Sequence, residues 1–131
     1  MSPIELSPLA HAGIKQRTGQ QAIRYAFLLV PDFSMLAFAS AIEPLRMANR
    51  ISGKTLYNHS LLTLGGDPVS ASNGVFIGPV SKADDAIFPD ALFVCAGTRL
   101  DSHWVGELIP AFTRLRQQKV PLGGICTGSY L

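Results

Sequence analysis

Charge is scarce in this sequence, and no stretch of it carries a block of one sign: 11 Lys and Arg against 9 Asp and Glu among 131 residues leave a formal net charge of +2. A nucleic-acid surface needs Lys and Arg clustered against phosphates, and no such footprint is present. Any contact with DNA therefore falls to another part of the protein. Cysteine is just as sparse. The two that occur, Cys95 and Cys126, lie in apolar surroundings and are too few for a disulfide framework, which fits a reducing compartment. Long hydrophobic runs are missing too: no window approaches the roughly 18 apolar residues that span a bilayer. The amino-terminal MSPIELSPLAHAGIKQRTGQQ has no apolar core behind a basic end, so it is not a secretory leader. These absences predict a cytoplasmic protein without a membrane partner, a metal or a cofactor.

What remains is a globular composition, 47% apolar and 15% charged, long enough for one domain with one core. Residues 1–21 are polar and aperiodic, which predicts a flexible tail. Residues 22–131 read as the folded domain. Apolar runs around Ile23–Val30, Tyr57–Leu64, Ala91–Ala96 and Pro121–Ile125 predict strands of a parallel sheet that needs cover on both faces. Between the first two, Met35, Phe38, Ile42, Leu45 and Asn49 follow helical spacing, with Ser34 suited to the N-cap and Gly53 to the left-handed residue after the helix. Pro44 should kink this helix or divide it. Arg46, Arg50 and Lys54 repeat every four residues, a pattern more often a solvated helix face than an anion site. Asn73-Gly74 marks a hairpin turn. A second helix starts near Ser102 and places Trp104, Leu108, Phe112 and Leu115 on one side, with Pro110 expected to bend it. The alternation of strands and helices predicts a doubly wound, mostly parallel α/β sheet, a flavodoxin-like three-layer arrangement.

Gly124-Ile125-Cys126-Thr127-Gly128 has the form Gly-x-nucleophile-x-Gly at the end of a strand. A sharp strand-to-helix turn crowds the backbone around the central residue, and flanking glycines relieve that crowding. A following helix N-terminus would place N–H groups beside the sulfur and lower its pKa. A buried structural thiol in a tight strand end has the same short pattern.

The stretches FLLVPDFSMLAFASAIEPLRMANR, SASNGVFIGP, PDALFVCAGT and LGGICTGSYL, in this order, resemble the amino-terminal ThiJ/PfpI (class I glutamine-amidotransferase-like) domain of AraC-type transcription regulators. The likeness covers roughly Arg24 to Leu131. It implies a sensor for a small metabolite, of amine or amino-acid type, at a crevice beside Cys126, with Thr127, Gly97, Glu43 and His103 as further ligand-binding candidates and Gly124 and Gly128 forming the elbow. It also implies a homodimer, and a helix-turn-helix region beyond Leu131 through which alone DNA is bound. On this reading the present chain is a fragment ending after the elbow strand.

Against catalysis, Thr127 stands where peptidase-like members have His, and Ala37 where many relatives carry a carboxylate. No catalytic residue is therefore assigned, and the chain is expected not to be an enzyme. His59 starts a strand, on the wrong edge of a parallel sheet, which leaves His103 as the one histidine suitably placed. Cys95 could approach Cys126 as a redox partner, but a small buried apolar residue is the better expectation. The competing functions are a cysteine-dependent hydrolase or glyoxalase-like enzyme, and a truncated protein without function.

Overall fold

The structure is a computed structural model and describes residues 21–83, 88–97 and 102–130. Most of the expected tail therefore lies outside the described residues. Strand β1 (Ile23–Leu29) is followed by helix α1 (Met35–Ser52) and strand β2 (Tyr57–Thr63). Three two-residue strands come next, β3 (Val69–Ser70), β4 (Phe76–Ile77) and β5 (Ser81–Lys82). Strand β6 (Ala91–Cys95), helix α2 (Ser102–Gln117) and strand β7 (Leu122–Ile125) complete the order, and a 3-10 turn covers Cys126–Tyr130. The main sheet runs β5-β2-β1-β6-β7, and every pairing in it is parallel.

β1 sits at the centre because its side chains are apolar on both faces, the condition for a strand flanked by helix layers. Ala26, Leu28 and Val30 join Leu92, Val94, Leu108 and Leu115 on the α2 side. Phe27 and Leu29 join Phe33, Phe38 and Cys95 on the α1 side. The helix faces are those the spacing predicts: Phe38 is buried with Met35, Ile42 and Leu45 around it, while Trp104 and Phe112 pack beside buried Leu108 and Leu115. The Ser34 hydroxyl caps α1 by accepting the Ala37 N–H at 3.2 Å, and Gly53 ends the helix at φ 64°.

Asn49 does more than fill its helical position. Its carboxamide donates to the Tyr57 carbonyl at 2.8 Å and accepts the Leu56 and Tyr57 N–H groups at 2.8 and 3.0 Å. One side chain thus satisfies the backbone that enters β2 and fixes the helix to the strand. Neither proline divides its helix; α1 runs unbroken through Pro44 and α2 through Pro110. Pro44 and Pro110 lie on exposed sides, where water can bond the carbonyls left without an N–H partner.

Two features depart from expectation. The hairpin at Asn73-Gly74 exists, as antiparallel β3 and β4 with Gly74 at φ 85°, but the chain then adds β5 to the sheet edge beside β2. The first half of β2 is also not covered: Asn58, His59 and Ser60 are exposed, and only Leu62 and Thr63 are buried. Their polarity is consistent with that exposure. Among the described residues no helix is long and apolar enough to cross a membrane.

Candidate functional site at the carboxyl edge of the sheet

From β1 the chain moves outward to β2 on one side, and the later strands β6 and β7 build on the other. The order reverses between β1 and β6, and in open parallel sheets ligands bind at the carboxyl ends of the strands flanking such a reversal. Three segments meet there: Val30–Phe33 after β1, Ala96-Gly97 after β6 and Cys126–Gly128 after β7. Backbone bonds carry the ladder past the strand ends, from Val30 N to the Cys95 carbonyl at 3.0 Å and from Ser34 N to the Ala96 carbonyl at 3.3 Å.

Cys126 is exposed and has φ 57°, a left-handed backbone that L-residues avoid. This is the strain expected of an elbow. The described residues after it form the 3-10 turn, where the sequence predicts the start of an α-helix. Gly128 is required by close approach, since a Cβ there would overlap the Val94 carbonyl oxygen. Gly97 is packed in the same manner against the Asp32 carbonyl oxygen. The Thr127 hydroxyl donates to the Gly97 carbonyl, tying the elbow to the end of β6. Gly97, Thr127 and Gly128 therefore have structural tasks at this edge. Gly124 lies opposite Val94 in the β6–β7 register.

Of the remaining expected site residues, Glu43 faces outward on α1, and its carboxylate accepts from the Arg46 Nε at 2.9 Å and from the Arg46 Nη2. The Arg46 guanidinium holds its carboxyl below the usual range. His103 lies in the first turn of α2, and its side chain is outside the described residues. His59 pairs in register with Tyr25, toward the amino ends of the strands and away from Cys126. Ala37 is half-buried in the first turn of α1.

Cys95 is buried at 1% exposure, and burial pushes its thiol up to about 12. The two cysteines are not joined in a disulfide. Among the described residues no group of three or more His, Cys, Asp and Glu is placed to hold a metal ion.

Two residues the sequence reading passed over belong to this edge. Asp32, which with Pro31 follows the first apolar run, has φ 63° and sits beside Gly97 at the end of β1. The signal available was its type, because Asp tolerates the left-handed region better than most residues. Gly123 pairs with Phe93, and a Cβ there would strike the Phe93 ring. That ring therefore lies across the strand, and the Gly123-Gly124 doublet was the clue.

A cleft of about 320 Å³ opens on the α1 side below the elbow, lined by Tyr25, Phe27, Phe93, Ala41, Leu45 and Ile125, with Gly124 at its edge. Its walls are aromatic, with the Phe27 and Phe93 rings stacked at 5.8 Å and Tyr25 edge-on to Phe93 at 5.7 Å. A larger depression of about 680 Å³ lies toward the amino ends of β1 and β2, around Arg24, Asn58, Ser60 and Lys82. Volume alone does not make it the site, because the strand-order reversal and the strained thiol are both at the opposite edge.

No protein-family model matches the chain. Over 104 residues, 79% of its length, it is 39% identical to the HTH-type transcriptional regulator GbdR of Pseudomonas aeruginosa, of which it spans 28%. The chain thus spans less than a third of that curated relative. Among solved structures, the AraC family transcriptional regulator from Pseudomonas putida matches with a TM-score of 0.69 at 28% identity, over 78% of this chain and 55% of that one. A ThiJ/PfpI family protein from Pseudomonas syringae matches with a TM-score of 0.58 over 97% of this chain and 51% of that one; at 15% identity this likeness shows the fold alone.

Proposed function

Because the chain matches the amino-terminal ThiJ/PfpI-type domain of AraC-type transcription regulators, we propose that residues 22–131 belong to the ligand-sensing part of such a regulator, working in the cytoplasm as a homodimer. In this reading a small metabolite settles at the carboxyl edge beside Cys126. Its binding energy biases the arrangement of the two subunits, and DNA is bound only through a helix-turn-helix region beyond Leu131. The observation that carries the reading is an elbow whose neighbours are structural. Thr127 is bonded to the Gly97 carbonyl where an enzyme would hold a base, and Ala37 offers no carboxylate to orient one.

An amine or amino-acid-like effector suits the surroundings. The cleft walls are aromatic faces, which attract an ammonium group. Thermal unfolding of the protein with a panel of ammonium and amino-acid metabolites tests this. One compound should raise stability by about 2.7 kcal/mol at a hundredfold excess over its Kd, and Phe93→Ala should weaken that response. A panel without any saturable shift would sink the sensor reading for this class of ligand.

The strained backbone at Cys126 is the one observation that favours a hydrolase or glyoxalase-like alternative. A time-dependent product that vanishes in a folded Cys126→Ala variant would establish that alternative instead.

A further inference from the structure

The depression of about 680 Å³ toward the amino ends of β1 and β2 lies far from Cys126 and has a chemistry of its own. The strand register shows which side chains share its face. Arg24 pairs with Asn58, Ala26 with Ser60 and Leu28 with Leu62, and Leu62 pairs in turn with Ser81. Side chains alternate across a strand, so Arg24, Asn58, Ser60 and Ser81 stand on the same face as Ala26 and Leu28. Further along β1 that face is packed under α2, but here Asn58, Ser60 and Ser81 are exposed. Buried Leu62 and Pro89 supply apolar lining, and Lys82 joins beside Gly66.

The charge around this concavity is one-sided. Arg24, Lys82 and His59 line it, and among the described residues no acidic side chain does. Asp90 lies next to it and is already engaged: its carboxylate accepts the Arg24 N–H at 2.8 Å and stands 3.9 Å from the Arg24 Nε. The Nε is shut away from solvent, whereas 42% of the Arg24 side chain stays exposed, so the outer nitrogens of the guanidinium fork face the open space. Among the described residues these nitrogens, the Lys82 ammonium, the Asn58 amide and the Ser60 and Ser81 hydroxyls have no hydrogen-bond partner.

We propose that this depression is a second small-molecule site, for an anionic, oxygen-rich metabolite such as a sugar phosphate or a hydroxy acid. A guanidinium fork with free outer nitrogens matches two oxygens of a carboxylate or phosphate, and the Lys82 ammonium adds a point charge. The amide and the two hydroxyls can each donate and accept, which suits a body of hydroxyl groups. The volume falls within the range of about 300–1,000 Å³ common to ligand pockets and is far larger than a bare phosphate requires. The seven residues of β1 separate this site from the Cys126 edge by roughly 20 Å, so both can be filled at once. The inference therefore stands apart from the identity of the effector at the other edge.

Isothermal titration calorimetry of the chain with glucose 6-phosphate, citrate, inorganic phosphate and glucose tests the proposal, with circular dichroism to confirm that each variant folds. Glucose 6-phosphate or citrate should give saturable heat at an affinity at least tenfold above that of inorganic phosphate, and glucose should give none. Arg24→Gln should weaken this binding tenfold or more. Ser60→Tyr should do the same, because it fills the sheet face while leaving every charge and the Asp90 contact in place. Arg116→Gln, at an exposed arginine on α2, should leave the affinity unchanged. No saturable heat from either organic anion, inorganic phosphate binding as tightly as both, or an equal loss in Arg116→Gln would overturn the proposal. So would an affinity that survives both Arg24→Gln and Ser60→Tyr.

Discussion

Two thiols stand almost side by side at the end of the sheet and have opposite surroundings. Cys95 closes β6 and pairs in register with Ile125, the residue before Cys126. Cys95 belongs to the apolar layer under α1, where loss of water pushes its pKa up to about 12. Cys126 is one step further along the neighbouring strand, exposed, and held at φ 57°. The difference lies in the backbone around them. β6 continues straight into packed Ala96-Gly97, whereas β7 turns sharply because Gly128 can press against the Val94 carbonyl and Thr127 is tied to Gly97. A single sheet edge thus hides one sulfur in its core and presents the other to solvent.

The sharpest way to break this contrast is to remove the close approach that creates the turn. Gly128→Ala should destabilise the protein by about 3–5 kcal/mol, because the added methyl meets backbone and cannot be absorbed by a rotamer change. Gly97→Ala should act similarly through the Asp32 carbonyl. Urea unfolding of both variants checks this, and losses under 1 kcal/mol would show that the edge can open without consequence.

Much of this edge was legible in the residues. The Gly-x-Cys-x-Gly pattern gave the elbow, and long apolar runs gave four parallel strands within one or two residues of their observed ends. Periodicity works there because a run of five or more residues must satisfy both faces of a buried sheet. It fails for β5, whose two residues leave no period to read, while β3 and β4 were reached only through the Asn73-Gly74 turn between them. It also could not show that Glu43 turns away from the crevice, since a helix position fixes a direction only once the packed face is known. Gly97 and Thr127, expected to touch ligand, also make contacts that no sequence pattern shows, Gly97 against the Asp32 carbonyl and Thr127 on the Gly97 carbonyl. Asp32 was overlooked because a strand-ending Pro-Asp pair looks the same whether or not the Asp is left-handed.

A second prediction sharpens the comparison through pH. The Cys95 pKa is raised in the folded state, whereas an unfolded cysteine ionises near its ordinary value of about 8.5–9. Below that range both states keep the proton and Cys95 contributes no pH dependence. Above it the unfolded chain releases its proton first, so stability should fall by about 1.4 kcal/mol per pH unit until the folded thiol ionises near pH 12. Other groups titrate in the same range, so the informative quantity is the difference between wild type and Cys95→Ala. That difference should shrink steadily between pH 9 and 11. A constant difference across those pH values would mean that Cys95 is not desolvated in the folded protein.

The smallest effect is expected at Cys126 itself, and it separates strain from side-chain contact. Holding an L-residue in the left-handed region costs roughly 1–2 kcal/mol. Glycine adopts that backbone freely but loses more chain entropy on folding, an opposing term of about 0.5–1 kcal/mol. Cys126→Gly should therefore stabilise the protein by about 0.5–1 kcal/mol, with Asp32→Gly behaving alike at φ 63°. Cys126→Ala keeps the strained backbone while changing the exposed side chain, so it should shift stability by less than about 0.5 kcal/mol. Thermal unfolding of the three variants beside wild type gives the answer. If Cys126→Gly were destabilising while Cys126→Ala was neutral, the left-handed turn would be relaxed in solution and the elbow would hold no strain for a ligand to exploit.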